Sequence, residues 1–305
     1  FEKGGNLVKY IRDTEIAVVG GDSRQMAVAD ALAGYGANVR IFGHSSEAKD
    51  GRMTFCESLE QAIAGARAVI LPISGINEQG KVRGRTVDQQ IDVGSCSFIW
   101  TPGMIVLSGS MTEKWRHIAA ESGVIVGEYG ENDEIAILNS IPTAEGTIQL
   151  AMENLPITIH GSRVLVIGFG RVGVTVARMF QALGATVTVA ARRRDLLARA
   201  WEMGCRTVLH DQLSTAVSAV DLIINTVPVM VLDDRILSLV SRDTVIIDLA
   251  SPPGGTDFIA AVTLGVKAIL APGLPGKVAP KTAGAILAKA IPEILEQLLT
   301  EGGGR

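Results

Sequence analysis

The sequence predicts an α/β protein of two Rossmann-like, doubly wound domains joined by a helix, with an interdomain cleft. Three observations predict it. From Arg163 onward, strand-sized apolar runs alternate with helix-sized segments and few residues intervene, the pattern of a parallel sheet covered on both faces. The spacing Gly168-x-Gly170-x-x-Gly173 follows one such run and opens a helical segment. The first half also repeats the second: Val18-Val19-Gly20 falls on Val166-Ile167-Gly168, and Tyr35-Gly36-Ala37-Asn38-Val39 on Leu183-Gly184-Ala185-Thr186-Val187.

The first domain, residues 1–141, begins with that strand and the turn Gly20-Gly21-Asp22-Ser23-Arg24-Gln25. The positions of Gly170 and Gly173 are here Asp22 and Gln25, so side chains stand where a pyrophosphate needs bare backbone. This copy is expected to keep the fold, lose the dinucleotide site and serve as the substrate side. Asp22, Ser23 and Arg24 then turn polar groups toward the cleft, with Arg24 a candidate for a substrate carboxylate. The alternative is a capped helix with a surface arginine. Ala68 to Pro72 resembles the later run Leu222 to Asn225, and Met104 to Ser108 resembles Thr244 to Asp248. The loops after these strands, with Ser74-Gly75 and Ser108-Gly109, are further substrate candidates, although Ser-Gly also simply marks turns. Lys81, Arg83 and Arg85 supply positive charge, but with Asp88 and Asp92 following they also read as a solvated face.

The join is read as a linker helix over 142–156: Pro142 suits a first helical turn, Ala144, Ile148, Ala151 and Leu155 recur at helical spacing, and Pro156 stops it. The second domain, 157–305, carries six strands: Val164 to Gly168, Thr186 to Ala190, Arg206 to Leu209, Asp221 to Thr226, Thr244 to Asp248 and Val266 to Ala271. That number completes a doubly wound dinucleotide domain. A last helix, Thr282 to Leu298, is assigned to this domain, with the possibility that it packs back toward the first; Pro292 should kink or restart it. The tail Gly302-Gly303-Gly304-Arg305 is expected to be disordered.

A lone GxGxxG is weak in a chain with 34 glycines. The strand before it and the helix after it make it strong. Gly168 permits the tight turn, Gly170 lets backbone approach the pyrophosphate, and Gly173 lets the helix lie close to the strand; Phe169, Arg171 and Val172 complete the loop. At the end of the second strand, where a carboxylate would bind the ribose of NAD, stand Ala191, Arg192 and Arg193. Guanidinium groups there pair with a 2′-phosphate, which favours NADP over NAD. The alternative is a solvated helix start with Asp195 as its cap. Asn225-Thr226-Val227-Pro228 and Asp248 end strands on the edge where a nicotinamide would lie. Among catalytic groups only weak candidates emerge, His210 after the third strand and Lys277 after the sixth.

The formal charge of -4 points to no polyanionic partner, so no nucleic acid is expected. No apolar run reaches membrane-helix length and no signal-peptide pattern of basic, apolar and small residues is visible, so no membrane is expected and the chain is read as cytoplasmic. Three separated cysteines, Cys56, Cys96 and Cys205, and four histidines outside any metal pattern suggest no disulfide framework and no metal.

Three stretches carry a family resemblance: Gly20-Gly-Asp-Ser-Arg-Gln25, Asn139-Ser-Ile-Pro-Thr-Ala-Glu-Gly146 and Ile159-His-Gly-Ser-Arg-Val-Leu-Val-Ile-Gly-Phe-Gly-Arg-Val-Gly173. Together they resemble the A subunits of bacterial dipicolinate synthases, over essentially the whole chain. The resemblance implies the last step of dipicolinate formation in sporulation: a hydroxylated tetrahydrodipicolinate from the lysine pathway, or its dehydrated dihydro form, is oxidised to the aromatic dicarboxylate. It also implies a partner, a flavoprotein-like B subunit, and a mother-cell cytoplasmic location; a homo-oligomer is expected. The residues alone leave two other readings open, a dehydrogenase for another small carboxylic acid and a nucleotide-sensing regulatory subunit without turnover.

Overall fold

The computed structural model describes residues 9–44, 51–86, 89–251 and 253–302. Asp88, Pro252 and the tail beyond Gly302 lie outside the described residues. The chain forms two compact units, one of Phe1–Ala136 with Pro280–Arg305 and one of Ile137–Ala279.

In the first unit the order is β1 (Glu15–Val19), α1 (Ser23–Gly34), β2 (Asn38–Phe42), β3 (Met53–Phe55), α2 (Leu59–Ile63), β4 (Ala68–Ile70), β5 (Lys81–Arg83), β6 (Gln90–Asp92), β7 (Ile105–Ser108), α3 (Glu113–Glu121) and β8 (Ile125–Glu128). Six strands make one parallel sheet in the order β3-β2-β1-β4-β7-β8. The sequence repeat does not announce β5 and β6, which pair antiparallel as a hairpin between β4 and β7.

Alternation along the strands explains why their sequence is apolar throughout. Ile16, Val18, Val39, Ile41 and Leu107 pack with α1 on one face, while Ala17, Val19, Val69 and Val106 pack with Trp100 and Trp115 on the other. A parallel strand buried on both faces has no wet side to spend polar residues on.

Within α4 (Asp133–Asn154) the chain leaves the first unit. The second unit then holds β9 (Arg163–Ile167), α5 (Arg171–Ala182), β10 (Thr186–Ala191), α6 (Arg194–Glu202), β11 (Arg206–Leu209), α7 (Leu213–Ala216), β12 (Leu222–Asn225), α8 (Asp234–Leu237), β13 (Val245–Asp248), α9 (Phe258–Leu264), β14 (Lys267–Leu270) and α10 (Leu274–Val278). All six expected strands form, in the order β11-β10-β9-β12-β13-β14 and all parallel. Both sheets thus reverse direction of growth beside their first strand, the doubly wound topology that the alternation predicted.

Two helices depart from the sequence reading. The linker helix was expected to start at Pro142, but α4 starts at Asp133 and holds Pro142 in its interior. Its N-terminal signal is Asn132, whose Oδ1 accepts the N–H of Ile135 at 3.1 Å, with Asp133 and Glu134 in the first turn. The last helix, α11 (Pro280–Gly302), belongs to the first unit rather than the second and runs through Pro292 as one element. It packs on α1 so closely that a Cβ on Gly284 would sit 3.1 Å from that of Ala27. Leu287, Ile291, Leu295 and Leu299, on both sides of Pro292, lie in the first unit's core. An interior proline costs about 3 kcal/mol. Burial of four such side chains, at roughly 1.5–3 kcal/mol each, outweighs it.

Candidate functional site

The second unit's turn is built by backbone. Gly168, at φ +92°, donates its N–H to the carbonyl of Ala190 at 2.9 Å, and Thr226 donates both N–H and hydroxyl to Ile167, each at 2.9 Å. The turn after β9 is therefore flanked by the end of β10 on one side and the end of β12 on the other. A side chain on Gly168 would collide with the Thr226 hydroxyl, and one on Gly173 would collide with the Gly168 carbonyl. Gly168 is closed to other residues by its positive φ and the turn after β12, and Gly173 by the close approach of α5 to the end of β9. Gly170 differs: its φ is -86° and a Cβ there would meet nothing within 4 Å. It is the N-cap of α5 and supplies no side-chain cap. The first-turn N–H groups of a helix have no intrahelical acceptor, and the positive end of the helix dipole lies behind them. With no side chain at Gly170 in the way, a helix end of this kind suits a phosphate.

Around this turn the expected residues divide. The side chain of Phe169 is buried in the core, so only its backbone belongs to the loop. Arg171 and Val172 form the first turn of α5, and Ala191 closes β10 as a small buried side chain. Arg192 follows, exposed, with no ion pair of its own among the described residues. Arg193 is the N-cap residue of α6 and pairs with Asp195, donating from Nε at 3.1 Å. That bond holds the Asp195 carboxyl below its usual range, and Asp195 lies within the first turn of α6 rather than at its cap.

Asn225 and Asp248, expected to contact the cofactor, instead face inward. Both are fully buried. Asn225 accepts from Val227 N–H and donates to the Val227 carbonyl and to Asp248 Oδ1, all at 3.0 Å. Asp248 accepts additionally from Ala250 N–H at 3.0 Å, Gly255 N–H at 2.8 Å and the Thr256 hydroxyl at 2.7 Å. These two side chains shape the rim that presents Thr226, Val227 and the exposed Pro228; their polar atoms are spent on it.

The weak catalytic candidates are not gathered here. His210 follows the edge strand β11, and Lys277 lies exposed on α10 after the opposite edge strand β14. Neither occupies a loop adjacent to Gly168, and His210 Nε2 is buried without a hydrogen-bond partner. Among the described residues no group of three or more His, Cys, Asp or Glu is placed to hold a metal, and no helix is long and apolar enough to cross a membrane.

In the first unit the corresponding turn is occupied. Gly20 donates to Phe42 as Gly168 does to Ala190, at 2.9 Å. Asp22 caps α1, its Oδ1 accepting Arg24 N–H at 3.1 Å, and takes the Arg24 guanidinium in a fork at 2.8 and 2.7 Å. Burial pushes the Asp22 carboxyl up, but the bonds and charge of Arg24, with the charge of Arg83, outweigh that and hold it below its usual range. Arg24 is thus not the unengaged carboxylate receptor expected from the sequence. Asp22, Arg24 and the exposed Ser74 line one small concavity, joined by Arg83 and the buried Gln25. Ser23 is exposed in the first turn of α1 and outside that lining. Gly75 and Ser108 are corrected: Gly75 is pressed against Ser110, and Ser108 is fully buried with its hydroxyl donating to the Ser110 carbonyl at 2.8 Å. Gly75 packs its loop against the other, and Ser108 braces its own loop. Of Lys81, Arg83 and Arg85, which the sequence left between a charge supply and a solvated face, Arg83 lines the concavity.

Residues 15–129 match the family model of the N-terminal domain of the dipicolinate synthase A subunit, and residues 142–304 that of the alanine dehydrogenase/PNT C-terminal domain. The dipicolinate synthase A subunit of Bacillus subtilis (strain 168) is 41% identical over 95% of this chain and 98% of its own length. The crystal structure of the dipicolinate synthase A subunit from Bacillus halodurans superposes with a TM-score of 0.86 at 39% identity, over 93% of this chain and 98% of that one. A transhydrogenase from Sinorhizobium meliloti, at 13% identity and a TM-score of 0.63 over 93% and 94% of the two chains, shares the fold. The alanine dehydrogenase/PNT domain implies a nicotinamide nucleotide cofactor, and the cradle at Gly170 fits one. The chain belongs to the family of dipicolinate synthase A subunits.

Proposed function

We propose that this chain is the NADP-dependent oxidising subunit of a dipicolinate synthase, converting dihydrodipicolinate, from the lysine-pathway hydroxy-tetrahydrodipicolinate, to dipicolinate. The observation that carries the reading is the open, uncapped N-terminus of α5 at Gly170, with Arg192 exposed and without an ion pair at the adjacent end of β10. The N–H groups of Arg171, Val172 and Gly173 donate to the pyrophosphate, and Arg192 pairs with the 2′-phosphate. Arg193 assists once it exchanges Asp195 for that phosphate. Ala191 leaves room for the adenosine ribose, and the backbone of Thr226, Val227 and Pro228 supports the nicotinamide. Asn225 and Asp248 hold that backbone in place. NADP, when bound, supplies a hydride acceptor. Aromatisation releases one hydride and one proton from the dihydropyridine ring and is itself downhill, so the chain's task is chiefly to position the ring. The first unit, with Asp22, Arg24 and Ser74 on one concavity, is the substrate side. The same reading puts the protein in the mother-cell cytoplasm, working with a flavoprotein-like B subunit.

Purified chain, B subunit, NADP and the lysine-pathway precursor should yield dipicolinate and reduced nucleotide in equal amounts. Tight nucleotide binding with no turnover in any combination would mean a nucleotide-sensing subunit; turnover confined to another small carboxylic acid would mean a different dehydrogenase. Arg192→Ala should lower NADP affinity about ten- to a hundredfold, the worth of a charge-assisted pair, and NAD affinity less than about twofold. Equal losses for the two nucleotides would remove the 2′-phosphate assignment. Arg193→Ala should do less, since that guanidinium already has a carboxylate.

A further inference from the structure

The hairpin of β5 and β6 lies on the turn after β1. Gly21 donates its N–H to the Arg83 carbonyl at 2.8 Å. A Cβ on Gly20 would come within 2.7 Å of the same carbonyl, and one on Gly43, just after β2, would come within 2.5 Å of Ile91 of β6. In the second unit β12, the counterpart of β4, is followed by α8 and no hairpin, and Gly170 stands open. The inserted hairpin covers the turn after β1 with its own backbone, and it delivers a guanidinium to the same place.

Arg83 lines a concavity of about 20 Å³ with Gly21, Asp22, Arg24, Gln25 and Ser74. Its Nε is buried and has no hydrogen-bond partner, whereas Arg24 is already held by Asp22. A buried guanidinium N–H without an acceptor is unfavourable, and a small shift of the side chain toward the concavity lets an acceptor there relieve it. Asp22 with Arg24 and Arg83 leaves one net positive charge. Behind the pair, Tyr129 adds none: burial pushes its phenol up, and its hydroxyl donates to the Leu71 carbonyl at 2.7 Å. The volume is that of about one water molecule, enough for a carboxylate's oxygens and too small for a ring. Gln25 is committed to the Ile70 carbonyl at 3.2 Å, while Ser74 stands exposed on the rim.

We propose that Arg83 is the anchor for a single carboxylate of a small ring acid, with the ring held outside the concavity and Ser74 as a second donor. The inference rests on the substrate reading above and adds to it the residue that recognises the acid. The test is calorimetric binding of pyridine-2,6-dicarboxylate, pyridine-2-carboxylate and pyridine to the full chain, with NADP binding measured alongside. Wild type should bind both acids and not pyridine. Arg83→Gln should weaken both acids about ten- to a hundredfold, Arg83→Lys less, and neither should change NADP affinity more than about twofold. Asp22→Asn retains the helix cap and frees Arg24, so it should tighten acid binding severalfold, a sign that misfolding does not imitate. Acid binding unchanged in Arg83→Gln, or weakened in Asp22→Asn, overturns the anchor. Wild-type protein that binds NADP but neither acid overturns the substrate reading itself.

Discussion

Gly170 allows binding and folding to be separated by a single side chain. Its backbone is ordinary and the space beside it is empty, so Gly170→Asp should leave the free energy of urea unfolding within about 0.5 kcal/mol while lowering nucleotide affinity at least about tenfold through repulsion of phosphate. A normal affinity in that variant would mean that phosphates do not approach α5. Gly173→Ala should behave in the opposite way and destabilise by roughly 1–3 kcal/mol, because its Cβ would overlap the Gly168 carbonyl. The spacing of these glycines was legible in the sequence because it reports a backbone requirement. The inward turn of Asn225 and Asp248 was not, since a strand-end carboxylate reads the same whether it faces a ligand or four internal donors. Asp248→Asn should cost about 1.5–3 kcal/mol in denaturant unfolding, the worth of hydrogen bonds to a charged acceptor that an amide cannot all replace.

Elements were read most reliably where one pattern decides them. The six strands of the second sheet follow from buried apolar runs, and each formed within a residue or two of its expected ends. Helix ends failed where proline was given more weight than packing: Pro142 was read as a start and Pro292 as a break, yet Asn132 caps α4 and the buried residues flanking Pro292 keep α11 whole. The hairpin was illegible because three-residue strands rich in charge have no periodicity to detect. One strand pairing gives a pH prediction. Asp221 accepts from Arg163 N–H and guanidinium at 2.7 Å each, joining the starts of β9 and β12, and these bonds hold its carboxyl below the usual range. A carboxyl depressed in the folded state contributes stability above its unfolded value, about 3.9, and loses it as pH falls through the folded value. The difference in urea midpoint between wild type and Asp221→Asn should accordingly be constant above about pH 5 and shrink below about 3.9. A difference that grows on acidification would reverse the sign of this coupling.

For the whole molecule, the number and class of its domains are legible in the sequence, because the repeat and the strand alternation are spread over the entire chain. The allegiance of the last helix is not, since an amphipathic segment names no partner. α11 closes the first unit although it follows the second in the chain. Truncation after Ala279 removes four buried Leu and Ile side chains from the first unit's core, a loss of roughly 6–12 kcal/mol and comparable to the whole stability of a domain. The truncated chain should therefore retain nucleotide binding while its residues before 137 become protease-sensitive. Protection of both units against protease would show that the first core closes without this helix.

The bond from Gly21 to the Arg83 carbonyl has a stoichiometric consequence. Two similar turns would ordinarily offer a chain two places for nucleotide, and here one of them is covered by the chain's own backbone. A titration with NADP should break sharply at one equivalent per chain, and a second equivalent at any accessible concentration would require the hairpin to lift away.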